Sequence, residues 1–429
     1  MIRTFNIAIV GLGQIGSYLL NELNKKKKDI LNKTGKNINI IAISAKNKNK
    51  KRTFKVNKKI FYTNPLEILK NKKLDILFEA IGTSDGISKK IVETALKNKV
   101  HVITPNKALI SKHGDYLSKL AEINKVNLEF EASVGGGIPI LRTIKESLAT
   151  NKISKVYGIL NGTSNYILSE METKKESFSS VLKKAQLLGY AEPGNPKLDL
   201  NGYDALAKIK ILSSLSFNNK ISTSKHLMEG IENIEYKDIE IVNQLNYRIK
   251  LLGITEIIDK KLFERVHPCL VKKNTYIGNV NGVMNAVIIE GKPVGESVLQ
   301  GEGAGPGATS SALMSDLMSI LRGNIKFPFG ISNIKRKKIK IYDINNYSNA
   351  LYLRLEVKDK PGVLSSITKQ LAKYNISVKR LIQIPDHKKK TASIAIITHE
   401  ANELNSKKCI KSFNANRNII KFPVLIRLL

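Results

Sequence analysis

Tryptophan is absent from this chain, and aromatic residues of all kinds make up only 6% of it. Proteins that track single-stranded nucleic acid need stacking rings at close intervals, so the scarcity counts against that role. Acidic residues are also few: 36 Asp+Glu stand against 71 Lys+Arg, a formal net charge of +35. The excess is not gathered on one segment. It lies in short clusters, Lys25 to Lys28, Lys46 to Arg52 and Lys335 to Lys340, mixed with Asn and Ile, as a proteome-wide bias on solvated faces would produce. Two cysteines, Cys269 and Cys409, are too few for a disulfide framework or a thiolate metal site and are expected to be separate buried thiols. No apolar run reaches the roughly eighteen residues of a membrane span. Strand-like sequence begins at Phe5, which leaves no room for a secretory leader. A soluble, cytoplasmic protein with neither nucleic acid nor membrane as partner is expected.

What is present is a chain of 429 residues, enough for two to four domains. An apolar strand, Phe5 to Val10, runs into Gly11-Leu12-Gly13-Gln14-Ile15-Gly16 and then an amphipathic helix, Ser17 to Leu23. In this strand, turn and helix context, Gly11 permits the tight turn, Gly13 lets a pyrophosphate approach backbone, and Gly16 lets helix pack on strand. A Rossmann dinucleotide-binding domain is the reading. The next strand, Ile38 to Ser44, would end in an acid if the adenosine ribose of NAD were to be held. It ends instead in Ser44-Ala45-Lys46, with Arg52 closing the basic cluster, a pattern that favours the 2′-phosphate of NADP, with NAD still possible. Strands Leu74 to Ala80 and Val100 to Ile103 deliver Thr83 with Ser84, and Asn106 with Lys107, at their carboxyl ends, where α/β sheets bind ligands. A fifth strand, Asn127 to Ala132, carries Glu131 into Ser133-Val134-Gly135-Gly136-Gly137-Ile138, a turn that could bind a hard cation such as sodium or simply mark a hinge.

Farther on, Ala185 to Lys208 crowds Glu192, Asp199, Asp204 and Lys208 around a Pro/Gly turn that enters a helix, Tyr203 to Leu215. Asp204 and Lys208 are four apart and share a helix face, which suits proton transfer and equally suits a solvated ion pair. Residues 330 to 349 read as a basic linker. Beyond them, strand, helix, two strands, helix and strand follow in the order βαββαβ, a ferredoxin-like unit.

Taken together, Gly11 to Gly16, TPNKAL at Thr104 to Leu109, FEASVGGGIPIL at Phe130 to Leu141, GILNGTSNYIL at Gly158 to Leu168, and GEGAGPGAT at Gly301 to Thr309 resemble the homoserine dehydrogenases of the monofunctional kind. The charged segment matches that family's spaced signature at Ala185, Gly189, Pro196, Asp199, Gly202, Asp204 and Lys208, although the loop between Glu192 and Asp199 is one residue longer than usual. The resemblance implies an α/β enzyme that interconverts L-homoserine and L-aspartate 4-semialdehyde with NAD(P), on the way to threonine, methionine and isoleucine. It implies a nucleotide-binding domain at 1–134 with 306–329 packing back on it, a catalytic and dimerisation domain at 135–305, a linker at 330–349 and a regulatory domain at 350–429. Lys208 is then the catalytic lysine, with Lys107 and Asp204 beside it. Glu192, Asp199, Gly162 and Thr163 bind substrate, and Gly303 and Gly305 return near the nicotinamide. Sodium would sit at Glu131, Val134, Gly136 and Ile138. The Asp-x-Pro-Gly-Val-Leu turn of the tail resembles the amino-acid-sensing ACT domain, which makes Asp359, Gly362 and Asn375 candidate effector contacts and threonine the expected effector. A homodimer or homotetramer is implied as well. The alternative of a regulator built on an inactive dinucleotide fold is disfavoured by the intact lysines and carboxylates.

Overall fold

The computed structural model describes residues 2–48, 57–194, 196–386 and 388–429. Arg52, the second residue read as a phosphate ligand, lies outside them. Two compact units emerge: Met1–Leu160, Leu206–Ser224 and Met284–Ile339 form the first, and Asn161–Ala205, Lys225–Val283 and Lys340–Leu429 the second.

In the first unit, short runs rich in Ile, Val and Leu are buried on both faces and so pair in parallel. These strands are β1 (Thr4–Val10), β2 (Asn37–Ser44), β3 (Phe61–Tyr62), β4 (Ile76–Glu79), β5 (His101–Ile103) and β6 (Leu128–Glu129), ordered β3-β2-β1-β4-β5-β6. The order reverses between β1 and β4, which creates the crevice where dinucleotides bind in such sheets. Helices α1 (Gln14–Lys25), α2 (Lys27–Thr34), α3 (Ile87–Lys97) and α4 (Lys107–Asn124) supply the crossovers. A later helix, numbered α11 in chain order (Pro306–Leu321), adds Leu313, Leu317 and Leu321 to the core that Ile7, Ile9, Leu19, Leu23 and Phe78 build. The expected strand Asn127 to Ala132 is cut to two residues, because Glu131–Ser133 coils into one helical turn. The helical turn α5 (Ile140–Arg142) and antiparallel strands β7 (Lys152–Ile159), β11 (Met284–Lys292) and β12 (Gly295–Glu302) complete this unit. Arg336, within the stretch read as a linker, is buried here. Its guanidinium stacks 3.9 Å from the Phe329 ring centroid and pairs with Asp115 at 2.7 Å.

The second unit contains α6 (Gly162–Lys174), α7 (Phe178–Leu187), α8 (Lys197–Leu200), α10 (Tyr236–Gln244), the short strand β8 (Leu227–Met228), and a long hairpin of β9 (Tyr247–Ile258) and β10 (Lys261–Lys272). Helix α9 (Tyr203–Ser216) starts in this unit and ends in the first. The tail runs β14 (Leu351–Lys358), α12 (Val363–Lys373), β15 (Val378–Asp386), β16 (Thr391–Thr398), α13 (Glu403–Phe413) and β18 (Val424–Leu428), the expected ferredoxin-like order, with a two-stranded ribbon of β13 (Ser348–Asn349) and β17 (Ala401–Asn402) beside it. Its helix α12 buries Val363, Ile367 and Leu371, one residue per turn, against Leu353, Leu355 and Ile394, each worth about 2 kcal/mol. One pairing lies beyond a self-contained module: β18 joins β10 in parallel, Cys269 opposite Arg427 and Leu270 opposite Leu428. The strand order therefore runs β9-β10-β18-β14-β16-β15 through the unit. Both cysteines are free and buried, and burial pushes the Cys409 thiol up to about 12. Among the described residues no helix is long and apolar enough to cross a membrane.

Candidate active site

The glycine turn after β1 opens on a cavity of about 720 Å³ whose walls include Gly11, Gly13, Ser44, Lys46, Asn64 and Thr83. Gly11 has φ +98°, and a Cβ there would stand 2.4 Å from the Ala80 carbonyl oxygen, so only glycine fits. A Cβ on Gly16 would meet the Gly11 oxygen at 1.9 Å, which is the close helix and strand packing expected of it. A Cβ on Gly13 would meet nothing within 4 Å, leaving room beside the start of α1, where Gln14 and Ile15 are the first helical residues. The N-terminus of α1 carries no acidic side chain and no side-chain cap, so its amides remain available to an anion. Cavity size, backbone cradle and Lys46 at the rim together fit a dinucleotide. Ser84, by contrast, hydrogen-bonds Asp85 at 2.6 Å on the exposed side of its loop.

The strand-end loops are held by a residue the motif reading did not single out. Glu79, the last residue of β4 and fully buried, accepts from Ile81 N at 2.9 Å, Ser88 Oγ at 2.9 Å and Thr104 Oγ1 at 2.6 Å. Asn106 caps α4 through Leu109 N and donates to the Thr83 carbonyl at 2.8 Å. Through them one carboxylate sets both the Ile81–Thr83 loop and the turn that presents Lys107, the half-buried first residue of α4. An acid at the end of an otherwise apolar strand was the signal.

In the same unit, Glu131 spends its carboxylate on the amides of Leu141 (2.9 Å) and Arg142 (2.8 Å) at the start of α5. Burial raises its pKa, against the pull of Lys145, Arg142 and those two amides. Gly135 and Gly136, both at positive φ, turn the backbone past Val134 and Ile138. The turn is pinned to the later glycine-rich loop: Gly137 N donates to the Glu302 oxygen at 3.1 Å, and a Cβ on Gly136 would lie 2.6 Å from the Gly303 carbonyl. Gly305, φ +102°, precedes α11. Among the described residues no three His, Cys, Asp or Glu side chains are grouped to hold a metal, so a cation at this turn would depend on backbone oxygens. Lys208, 7% exposed, donates from Nζ to the Leu160 carbonyl at 2.5 Å.

In the second unit the amide of Asn161 gathers two of the candidate acids. Its Nδ2 donates to Asp199 Oδ1 at 2.8 Å and to Asp204 Oδ2 at 3.1 Å, while its Oδ1 caps α6 by accepting from Ser164 N. Thr163 Oγ1 donates to the Tyr190 carbonyl at 2.6 Å and lies 3.5 Å from Asp199 Oδ2. Gly162 leaves no space for a side chain, since a Cβ would be 2.7 Å from the Val283 oxygen. Asp204 sits in the first turn of α9, four residues before Lys208 on the same helix. Glu192 stands apart: it is exposed, and its carbonyl accepts from Gln186 at 3.2 Å. Asn161 precedes the Gly-Thr pair in the sequence, and its place as cap of α6 was the available signal.

At the tail, Asp359, Pro361, Gly362 and Gln383 line a cavity of about 280 Å³ at the N-terminus of α12. Gly362 has φ +85° and caps that helix. Asn375, at φ +56°, lies past the opposite end of α12.

Family comparisons agree with this geometry. The homoserine dehydrogenase profile matches residues 139–318, the profile of that family's NAD-binding domain matches 11–131, and the ACT domain profile matches 351–417. Curated homoserine dehydrogenases of Neisseria gonorrhoeae and Helicobacter pylori are 37% and 36% identical, over 99% of both chains for the first and 100% of both for the second. The crystal structure of a homoserine dehydrogenase from Thiobacillus denitrificans superposes with a TM-score of 0.92 at 34% identity, covering 100% of this chain and 99% of that one. With its parallel-sheet nucleotide domain, its mixed-sheet domain and its ACT tail, the chain belongs to the homoserine dehydrogenase family of nicotinamide-dependent oxidoreductases acting on a CH–OH group.

Proposed function

We propose that the enzyme interconverts L-homoserine and L-aspartate 4-semialdehyde with Lys208 as the proton donor and acceptor, NADP as the preferred cofactor, and an amino acid acting through the tail. The observation that carries the reading is helix α9, which presents Asp204 and, one turn on, a Lys208 whose ammonium is held by the Leu160 carbonyl, next in chain to the Asn161 that holds Asp199 and Asp204. The bound dinucleotide supplies or accepts the hydride. Lys208 protonates the substrate oxygen as negative charge develops on it, and takes the proton back in the oxidative direction. Lys107 adds a second positive charge toward that oxygen, and Asp204 favours the charged form of Lys208 against their repulsion. Asp199 holds the substrate α-ammonium, with Gly162 and Thr163 shaping the wall behind it. Gly303 and Gly305 keep side chains away from the nicotinamide.

Preference for NADP is supported by Lys46 at the cavity wall and by Ser44 and Ala45 where an acid would select NAD. Sodium, at the carbonyls of Glu131, Val134, Gly136 and Ile138, fits a turn whose carboxylate is already engaged by amides. An amino-acid effector, threonine by pathway logic, suits the tail cavity: its carboxylate meets the N-terminus of α12 near Gly362 and its ammonium meets Asp359, while Asn375, beyond the far end of α12, is out of reach of a ligand there. Cytoplasmic action on the route to threonine, methionine and isoleucine, as a homodimer or homotetramer, belongs to the same reading.

The test is oxidation of NADPH with aspartate 4-semialdehyde, repeated with NADH and with threonine. Lys208→Ala should lower kcat by roughly two to four orders of magnitude with the cofactor KM unchanged. Near-normal turnover in that variant removes Lys208 from the chemistry.

A further inference from the structure

We propose that Arg427, in the last strand of the tail, is a positioning residue for Asp199, acting through Glu229; the inference rests on reading Asp199 as a substrate ligand. Arg427 has a side chain 1% exposed and serves two carboxylates at once. Toward α13 it donates from Nε to Glu403 Oε2 at 3.1 Å and from Nη2 to Glu403 Oε1 at 2.6 Å. Toward Glu229 it donates from Nη1 to Oε2 at 2.7 Å and from Nη2 to Oε1 at 3.0 Å. A planar guanidinium can hold two forks in fixed directions, which an ammonium cannot. Glu403, 2% exposed and itself in the tail, already neutralises the buried charge. Glu229 is 37% exposed and would be well solvated without a partner, so its bidentate bond is not needed to bury Arg427. It reaches instead from outside the tail.

The segment that carries Glu229 is laid directly on the Asp199 turn. Glu229 N donates to the Val266 oxygen at 2.9 Å, fixing the segment to β10, the strand that also pairs with β18. At the next residue, Gly230, a Cβ would stand 2.4 Å from the Leu200 oxygen, and Ile231 N donates to that same oxygen at 3.1 Å. From the other side Gly202, φ +86°, packs so closely that a Cβ would lie 2.8 Å from Val266 Cγ1. Backbone thus meets backbone where Gly230 lies on Leu200 and Asn201, and Gly202 is packed against the side chains of Val266 and Met228, so residues 200–202 are held from both sides. Asp199 precedes Leu200, and its carboxylate is the one that Asn161 and Thr163 address. A displacement of β18 therefore reaches a substrate carboxylate through one ion pair and one carbonyl.

The test uses the full-length chain and four single variants: Glu229→Gln, Arg427→Lys, Glu229→Ala and, as benchmark, Asp199→Asn. Glu229→Gln leaves the Arg427–Glu403 pair intact, so the tail stays anchored while the link to the loop is weakened. The expected result is a rise in homoserine KM of roughly tenfold in Glu229→Ala and less in Glu229→Gln, with cofactor KM and Tm unchanged. Arg427→Lys should follow Glu229→Gln, and the Arg427→Lys, Glu229→Gln double variant should be no worse than the worse single one. Wild-type homoserine KM in both Glu229 variants overturns the proposal. So does a common loss of kcat, cofactor affinity and Tm, which marks a merely structural bridge. If Asp199→Asn raises homoserine KM and the Glu229 variants do not, this inference alone falls; if Asp199→Asn is silent, the reading beneath it falls too.

Discussion

At the scale of residues, one amide reconciles two acids. Asn161 Nδ2 lies between Asp199 and Asp204, so its loss leaves two carboxylates close together without their shared donor. Asn161→Ala should lower kcat/KM for homoserine by roughly ten- to a hundredfold, with cofactor KM unchanged and about 1 kcal/mol of stability lost with the α6 cap. Steady-state kinetics beside a urea titration separates the two effects. Lys250 makes a second prediction. It is 1% exposed, donates to Asn165 Oδ1 at 3.1 Å and to the Val280 oxygen at 2.5 Å, and burial lowers its pKa to about 8. Between that value and the ordinary lysine value the unfolded chain keeps a proton that the folded one has released. Stability from this group therefore rises with pH across that window, by up to about 3 kcal/mol. Denaturation of the wild type and of Lys250→Met at several pH values from about 7 to about 10.5 should show the difference between them growing in favour of the wild type. Lys208 and Asp204 could be singled out in the sequence because a helix period and a spaced signature both point at them. Glu79 and Asn161 carry only a local mark each, an acid closing an apolar strand and a helix-cap position, and neither mark names the partners, which lie in other loops.

At the scale of elements, the glycine turn, helix α9 and the βαββαβ order were legible because each is written in local periodicity and turn chemistry. Pairing between distant elements is not. Nothing near Val424 announces β10 as its neighbour, and nothing in the lysine-rich stretch around Arg336 announces burial except that it is an arginine among lysines. The clearest such junction joins α10 to the tail. Asp238, fully buried, accepts from Arg354 Nε at 2.6 Å and Nη2 at 3.0 Å, and from the Tyr352 hydroxyl at 3.0 Å, while Arg354 Nη1 donates to Glu356 at 2.8 Å. Asp238→Ala leaves the guanidinium short of its main partner and should destabilise the protein by about 3–5 kcal/mol. A calorimetric scan will read this as a lowered Tm. Replacing Asp238 and Arg354 together with apolar residues should recover part of the loss.

At the scale of the whole molecule, a formal charge of +35 surrounds an enzyme whose cofactor is a polyanion and whose substrate is a zwitterion. Raising ionic strength from about 0.01 M to about 0.5 M should therefore raise the KM for NADPH several-fold and leave that for homoserine nearly unchanged. Lys46→Glu should turn the preference toward NADH by roughly tenfold, as paired assays with both cofactors will show. The place of β18 in the second unit has a consequence in the order of biosynthesis. Strand β10 ends at Lys272 and its parallel neighbour begins at Val424, so the stretch of its edge at Cys269 and Leu270, beyond the part that β8 covers at Arg265 and Val266, must wait while the ribosome makes everything between. During that interval the edge is a template for any passing strand. Ribosome-bound chains arrested before Val424 should thus bind holdase chaperones, and release them once the strand has emerged.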